Sequence, residues 1–344
     1  MISMRHIILS CSIMLCGISS QAGELRIAFS SCYEQDKHNL PIWQAIKDKQ
    51  PDLFVFLGDN VYIDSENPNK FTADYQALFA NPGIKALREE TDIMATWDDH
   101  DYGDDDGGKH FVAKDISKAA FVTAFNYPEI NNLPKDQGIF HSRTLMLGDK
   151  KVRLIMLDTR WYRDDLLLHN LSEADRWAFE LGPYKPHTNT DKTLLGREQW
   201  QWLEKTMAEP VDLNIIATSI QFISEYTAWE IWANFPHERQ RMLDLVSKYA
   251  LGKTLFISGD VHRGETSMMK FNDEMLFDVT AGPLSSLAYP AKPNVHRYGG
   301  AFIEYNFGLL TITKINDALT VTSGLYNSTG QILETFDIPV QGKQ

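Results

Sequence analysis

Four short apolar runs along this chain each end at residues that can bind metal ions. They run into Cys32, into Gly58-Asp59-Asn60, into Asp98-Asp99-His100-Asp101 and into Asp260-Val261-His262. Continuous apolar runs of this length are typical of strands buried on both faces of a sheet. Because ligands collect beyond the carboxyl ends of strands in open α/β sheets, the pattern predicts one polar site at a sheet edge.

Between these runs the pattern alternates between helix and strand. It predicts helices over 41–49, 71–90 with an interruption at Asn81-Pro82-Gly83, 114–126, 195–207 and 238–249, and strands over 151–158 and 213–218. Residues 168–193 show no clear period and are expected to cross the surface. After His262 the pattern changes to strands over 275–280, 301–313 and 319–325, which we expect to pair into a second sheet. The favoured architecture is a single α/β domain, residues 23–344, of two packed sheets with outer helices.

Residues 1–22 have the pattern of a cleavable signal peptide. Arg5 precedes an apolar stretch from Ile7 to Ile18, and Ser20-Gln21-Ala22 offers small residues for cleavage. The apolar stretch is short for a membrane span, so we expect no stable membrane insertion. The mature chain is expected to begin near Gly23 and to be periplasmic or secreted.

Export would remove Cys11 and Cys16 and leave Cys32 as the only cysteine of the mature chain. A disulfide within the chain is then impossible, in a compartment where thiols normally pair or oxidise. Cys32 is either a small buried hydrophobic residue or a metal ligand. Its position directly after a strand and beside other candidate ligands favours the metal ligand.

Charge limits the classes of partner. The formal net charge of −13 at pH 7 makes a nucleic acid an unfavourable partner. Asp98 to Asp106 places six carboxylates and one imidazole within nine residues, which is costly without cations. The alternative is a solvated acidic loop, but Trp97 and the run before it place the first of these groups at a buried edge. The sequence makes no prediction of the oligomeric state.

The combined donor set mixes oxygen, nitrogen and sulfur ligands. Carboxylates suit hard ions such as Ca²⁺ and Mn²⁺, imidazole suits zinc or iron, and thiolate favours softer or redox metals, so two unlike metals fit better than one. A carboxylate such as Asp59 can bridge two metals, and such a pair can activate water at neutral pH. No Gly-x-Ser-x-Gly elbow or phosphate-loop lysine motif offers a competing chemistry.

Four motifs, in order, resemble those of the alkaline phosphatase D group of the calcineurin-like metallophosphatases. Ser-Ser-Cys (30–32) is similar to the first motif, Gly-Asp-Asn-Val-Tyr (58–62) to the bridging-aspartate motif, Trp-Asp-Asp-His-Asp (97–101) to the Gly-Asn-His-Asp/Glu motif, and Gly-Asp-Val-His (259–262) to the final Gly-His-x-His. Leu-Asp-Thr-Arg (157–160) and Trp-Glu-x-Trp (229–232) add weaker support.

The resemblance implies roles for individual residues. The implied metal ligands are Cys32, Asp59, Tyr62, Asp99, Asp105, Asp260 and His262, with Tyr62 binding ferric iron and Asp105 standing where the family often has an asparagine. The implied catalytic residues are Asn60, His100 and Arg160. His100 would contact phosphate and protonate the leaving oxygen, and Arg160 would offset charge on the equatorial oxygens.

The resemblance also implies a fold and a reaction. The fold would be a four-layer αββα sandwich, two packed mixed sheets flanked by helices, with Fe³⁺ and Ca²⁺ as the metals and Zn²⁺ or Mn²⁺ as alternatives. The reaction would be metal-dependent hydrolysis of small-molecule phosphate mono- or diesters by an exported alkaline phosphatase or phosphodiesterase. The alternative is a catalytically silent metal-binding module of the same fold.

Overall fold

The computed structural model describes residues 23–37, 41–225 and 227–340. The predicted signal peptide, residues 1–22, therefore lies outside the described residues. In the part of the chain that the structure describes, no helix has both the length and the apolar character needed to cross a bilayer.

Strands and helices alternate up to residue 258, and strands predominate after it. The strands are β1 (Glu24–Ser30), β2 (Leu53–Leu57), β3 (Asp92–Thr96), β4 (His141–Leu147), β5 (Lys150–Met156), β6 (Leu167–Leu168), β7 (Tyr184–Lys185), β8 (Leu213–Ala217), β9 (Thr254–Ser258), β10 (Gly264–Phe271), β11 (Glu274–Thr280), β12 (Arg297–Phe302), β13 (Asn306–Ile315), β14 (Ala318–Asn327) and β15 (Ile332–Ile338). The α-helices are α1 (Ile42–Asp48), α2 (Pro68–Ala80), α3 (Pro82–Arg88), α4 (Asp99–Tyr102), α5 (Lys114–Phe125), α6 (Pro128–Asn131), α7 (Glu173–Ala178), α8 (Gly196–Ala208) and α9 (Pro236–Tyr249). The helices predicted from the sequence are confirmed, with small differences at their ends.

The strands form two large mixed sheets. The first sheet has six strands in the order β15-β14-β13-β1-β2-β3, and the second sheet has seven strands in the order β12-β10-β11-β9-β8-β5-β4. β1, β2 and β3 run parallel in the first sheet, as do β5, β8, β9 and β11 in the second. In the first sheet, β13, β14 and β15 add antiparallel pairs on the β1 side only, whereas in the second sheet antiparallel pairs lie on both sides of the parallel strands. β6 and β7 pair with each other in a small separate sheet.

The C-terminal strands do not form a sheet of their own, and that expectation was wrong. β13 pairs antiparallel with β1, from Glu24↔Thr313 to Phe29↔Gly308, so β13, β14 and β15 extend the N-terminal sheet. The strand expected over 301–313 is divided into β12 and β13, which lie in different sheets. Without β13, one row of N–H and C=O groups on β1 would be unpaired. The local pattern of apolar residues does not specify which distant strand covers that row.

Helices cover the outer faces of both sheets. Phe54 and Phe56 of β2 contact Trp43 of α1, so the alternate residue Val55 faces the second sheet. Residues of α8 and α9 pack with the outer face of the second sheet in a separate buried cluster. The four-layer αββα arrangement expected from the sequence is therefore confirmed.

The two sheets place the ends of β1, β2 and β9 close together. The Cys32 N–H, after β1, donates to the Gly58 carbonyl, after β2, at 3.2 Å. A Cβ atom on Gly259, after β9, would lie only 2.5 Å from the Cβ of Ser31. The polar ends of the apolar runs thus meet at one common edge.

Candidate metal centre

The loops after β1, β2, β3 and β9 bring most of the predicted ligands together. Four sets of side chains each place one donor atom per residue within 4.8 Å of the others: Cys32, Asp59 and His262; Asp59, Asp99 and His100; Asp59, Asp98 and Asp260; and Asp99, Asp106 and Glu230. Asp59 belongs to three of these sets. A carboxylate placed in this way can bridge two cations.

The backbone of these loops is held in an unusual conformation where the donors converge. The φ angle is +60° at Cys32, +49° at Asp59, +53° at Asp106, +67° at Asp260 and +52° at His262. A left-handed conformation costs about 1 kcal/mol or more for a residue with a Cβ atom. Strained backbone is concentrated at functional sites, so it marks the same centre that the side chains define.

Gly58 is required directly before Asp59. Its φ is +104°, and a Cβ atom there would lie 2.5 Å from the Cβ of Asp98. The turn after β2 can therefore pack against the turn after β3. Oδ1 of Asp101 accepts hydrogen bonds from the N–H groups of Asp59 at 3.2 Å and Asp98 at 2.6 Å, which ties the two turns together.

The centre concentrates buried negative charge. Burial, and then the charges of Asp99 and Asp98, raise the pKa of Asp59 well above its ordinary value. Burial and the same two charges also raise the pKa of Asp260. Among the residues described, Oδ1 of Asp59 and Oδ1 of Asp99 are buried without a hydrogen-bond partner. Such oxygens fit cations, because a bound cation removes both the repulsion and the unmet hydrogen-bonding demand.

Cys32, His262 and Tyr62 form the softer side of the centre. Cys32 is fully buried, and burial raises the pKa of its thiol. His262 Nδ1 donates to the Leu287 carbonyl at 2.5 Å, so the lone pair of the neutral ring lies on Nε2. This Nε2 is 3.2 Å from the Tyr62 hydroxyl. The thiol and imidazole suit a softer or redox-active metal, and the phenol adds an oxygen donor beside them.

His100 is held by Asp64, which the sequence reasoning missed. Its Nδ1 lies 2.8 Å from Oδ1 of Asp64, and its ring packs on Tyr62 with centroids 4.4 Å apart. Burial alone would lower the pKa of His100, but the hydrogen bond with Asp64 and the charge of Asp99 raise it to about 9. These two contacts therefore favour the protonated form of His100 at neutral pH. The available signal was an acidic residue two positions after Tyr62.

Arg160 is buried next to the centre and contacts two of its carboxylates. It is fully buried, its Nε donates to Asp98 at 2.7 Å, and its Nη1 pairs with Glu230 at 2.7 Å. Arg163 is also fully buried and pairs with the same Glu230 at 3.0 Å. The placement does not support direct contact between Arg160 and substrate oxygens, because protein carboxylates already occupy its guanidinium. Arg160 instead neutralises two carboxylates that belong to donor sets.

Asp106 joins a donor set, whereas its neighbour Asp105 does not. Asp105 is exposed and is absent from the four sets found in the described ranges. The Asp106 N–H donates to Asp99 Oδ2 at 2.8 Å, and its carboxylate accepts a hydrogen bond from Tyr184. Burial, and then the charge of Glu230, raise the pKa of Asp106 to about 8. Sequence reasoning assigned no role to Glu230, although it lies in the Trp-Glu-x-Trp motif.

Asn60 is buried between the two turns. Its Nδ2 donates to the Thr96 carbonyl at 2.8 Å and to Asp101 Oδ2 at 2.5 Å. Its Oδ1 is buried and has no hydrogen-bond partner within the described part of the chain. Asn60 therefore supports the turn and leaves one buried neutral oxygen without a hydrogen-bond partner among the described residues.

Two mixed sheets with flanking helices, and candidate metal ligands at their common edge, are the arrangement of a metallophosphatase-like fold. The chain belongs to the PhoD-like phosphatase family, whose model matches residues 27–302.

Comparisons with individual proteins agree with this assignment. Alkaline phosphatase D of Bacillus subtilis (strain 168) is 24% identical over 290 residues, which cover 73% of this chain and 48% of that protein, so the chain spans about half the length of this curated relative. The solved structure of PhoD matches with a TM-score of 0.69 at 18% identity, covering 94% of this chain and 73% of that one. GAP50, the anchor in the inner membrane complex of Plasmodium, matches with a TM-score of 0.59 at 13% identity, covering 94% of this chain and 90% of that one. The two structural matches establish the fold.

Proposed function

We propose that this chain is an exported alkaline phosphatase or phosphodiesterase that hydrolyses phosphate mono- or diesters with more than one bound cation. The observation that carries the proposal is the buried carboxylate of Asp59, which three donor sets share and which has an unpartnered oxygen. A shared carboxylate can hold two cations close enough to act on one phosphoryl group. Family membership supplies the reaction class.

The donor atoms divide the centre into two sides. Cys32, Tyr62 and His262 would hold Fe³⁺, and the carboxylates around Asp59 and Asp99 would hold Ca²⁺, with Zn²⁺ or Mn²⁺ as alternatives. When bound, the cations supply Lewis acidity and offset charge on the phosphoryl oxygens. Burial raises the pKa of both Cys32 and Tyr62, so metal binding and their deprotonation are linked.

His100 is the proton donor to the leaving oxygen in this proposal. Its Nδ1 faces Asp64, so Nε2 carries the proton that can be transferred. Asp64 fixes the orientation of the ring and, with the charge of Asp99, raises its pKa, which favours the protonated form needed for proton donation. Arg160 acts through the protein, because it holds Asp98 and Glu230 in place and balances their charge.

A second candidate is a metal-binding module without catalysis. It is favoured by the fold match to GAP50, which covers 90% of a protein described as an anchor. This candidate predicts tight metal binding without ester hydrolysis.

Hydrolysis by purified, metal-replete protein separates the two candidates. We expect release of p-nitrophenol from p-nitrophenyl phosphate, bis(p-nitrophenyl) phosphate or both, and the two rates give the monoester or diester preference. Asp59→Ala should abolish activity and lower the metal content, whereas Asp244→Ala, an exposed aspartate on α9, should change neither. Protein that binds cations and hydrolyses neither ester would support the binding module instead.

We further propose that residues 1–22 direct export and that residues 23–344 fold as one domain. Arg5, the apolar stretch after it and the small residues before Gly23 support export. Intact-mass measurement of the protein released from cells should give Gly23 as the first residue. Protein that stays in the cytoplasm and begins at Met1 would contradict export.

A further inference from the structure

The loop between β11 and β12, residues 281–296, presents two apolar side chains beside the centre. Leu287 is 66% exposed and Tyr289 is 48% exposed, although Leu284, Ser285 and Ser286 just before them are buried. Isolated exposed apolar side chains are common on protein surfaces. These two, however, belong to the segment whose carbonyl group at Leu287 holds the candidate ligand His262.

Hydrogen bonds fix both ends of this loop. The Leu284 N–H donates to the Ser31 carbonyl at 2.9 Å. At the other end, Arg297 donates to the buried carboxylate of Glu265 at 2.6 Å. The backbone of the loop is therefore anchored at both ends before any ligand arrives, which lowers the entropy cost of binding.

Tyr289 lies flat against His262. The ring centroids are 4.7 Å apart and the planes differ by 19°. The Tyr289 N–H also donates to the His262 carbonyl at 3.3 Å. The imidazole is 8% exposed, whereas the tyrosine is about half exposed. One face of the phenol ring covers a candidate metal ligand, and aromatic surface remains open next to the centre.

We propose that Tyr289, with Leu287 in the same loop, determines specificity by binding an aromatic group carried on an ester oxygen of the substrate. This inference rests on the proposed phosphoesterase function. Tyr289 stacks on His262, which shares a donor set with Cys32 and Asp59. In this proposal, an aromatic group a few bonds from phosphorus would contact the phenol ring while the phosphoryl oxygens stay at the centre. Ring stacking and apolar burial favour such a group over a small alkyl group.

We call the aromatic-binding surface formed by Tyr289 and Leu287 the platform. It can be tested with two phosphonates, whose carbon–phosphorus bonds are not hydrolysed as esters are. Metal-replete wild-type protein should bind phenethylphosphonate about tenfold more tightly than ethylphosphonate in isothermal titration calorimetry, the size expected for one partly exposed aromatic contact. Tyr289→Ala should remove most of this preference while ethylphosphonate still binds. Tyr289→Phe should keep it, because the ring face is retained. Tyr298→Ala is the matched control, because Tyr298 is 44% exposed and packs on Phe336 of β15.

The outcomes separate the platform from the proposed function. Equal affinities for the two phosphonates in wild-type protein, or an unchanged ratio in Tyr289→Ala, would overturn the platform even if nitrophenyl esters are hydrolysed. A tenfold preference that Tyr289→Ala removes, in protein without ester hydrolysis, would support the platform and refute only the proposed function.

Discussion

Replacement of Asp59 by asparagine is expected to change stability in opposite directions with and without metal. In metal-free protein, Asp59→Asn removes a buried carboxylate that lies among Asp98, Asp99 and Asp260 and whose Oδ1 has no partner among the described residues. In metal-loaded protein, the same change removes the ligand that three donor sets share. The first effect stabilises the folded state, and the second destabilises it.

The expected size of the stability change follows from the buried charge in metal-free protein and from the free energy of metal binding in loaded protein. Asparagine keeps a buried oxygen at this position but carries no charge, so metal-free Asp59→Asn should relieve the cost of a buried negative charge among like charges and gain about 1–3 kcal/mol of free energy of unfolding. This gain corresponds to a rise in Tm of roughly 2–6 °C. A cation present at about 100 times its Kd contributes about 2.7 kcal/mol per site, so loss of the shared ligand should cost the loaded protein about 2.7 kcal/mol or more.

The gain in metal-free protein should depend on pH. Folding raises the pKa of Asp59 above its ordinary value of 3.8, chiefly through burial, so the folded state holds this proton more tightly than the unfolded state does. The contribution of Asp59 to stability is therefore present at low pH and is lost as the pH rises from 3.8 towards the raised pKa. The advantage of Asp59→Asn should be larger at neutral pH than at mildly acidic pH.

Thermal unfolding in two metal states is the assay. Wild-type protein and Asp59→Asn would be compared after dialysis against a chelator and again after metal is restored, with Asp244→Asn as an exposed control on α9. Opposite signs of the change in Tm are expected for Asp59→Asn, and almost no change for the control. A shift of the same sign and size in both states would refute the shared-ligand role of Asp59.

Four other substitutions test separate parts of the centre. His100→Asn should slow turnover more for esters with poor leaving groups than for p-nitrophenyl esters, because a good leaving group needs little protonation. An equal loss of turnover across a leaving-group series would assign His100 to binding or metal ligation. Tyr62→Phe should bleach the visible charge-transfer band of ferric protein and reduce activity. Cys32→Ser should shift that band and weaken metal retention. A colourless, iron-free enzyme that is fully active with zinc or calcium would contradict the iron assignment. Gly58→Ala should lower stability by about 1–3 kcal/mol and reduce metal content, because the added Cβ would lie 2.5 Å from the Cβ of Asp98, whereas unchanged Tm and metal content would show that the two turns can separate.

The ligands that directly follow strands could be predicted from the sequence. A continuous apolar run that stops at Asp59 or near Asp260 shows both a buried strand and the polar residue at its end. The carboxyl ends of neighbouring parallel strands meet at one edge, so these residues converge without further information. The structure brings Cys32, Asp59, Asp99 and His262 into shared donor sets at that edge.

Contacts between distant loops could not be predicted in the same way. The sequence shows an arginine after a strand at Arg160, but whether it reaches substrate or protein depends on Glu230, which another loop supplies. The choice between Asp105 and Asp106 depends on a left-handed turn at Asp106, with φ of +53°, that no periodicity indicates. The pairing of β1 with β13 likewise joins segments from opposite ends of the chain.

The metal content of protein purified without chelator tests the shared-carboxylate centre most directly. Elemental analysis should find more than one cation per chain in wild-type protein and fewer in Asp59→Ala, and removal of the metals should abolish ester hydrolysis until they are restored. Full hydrolysis by protein without bound cations, or unchanged metal content and activity in Asp59→Ala, would contradict that centre.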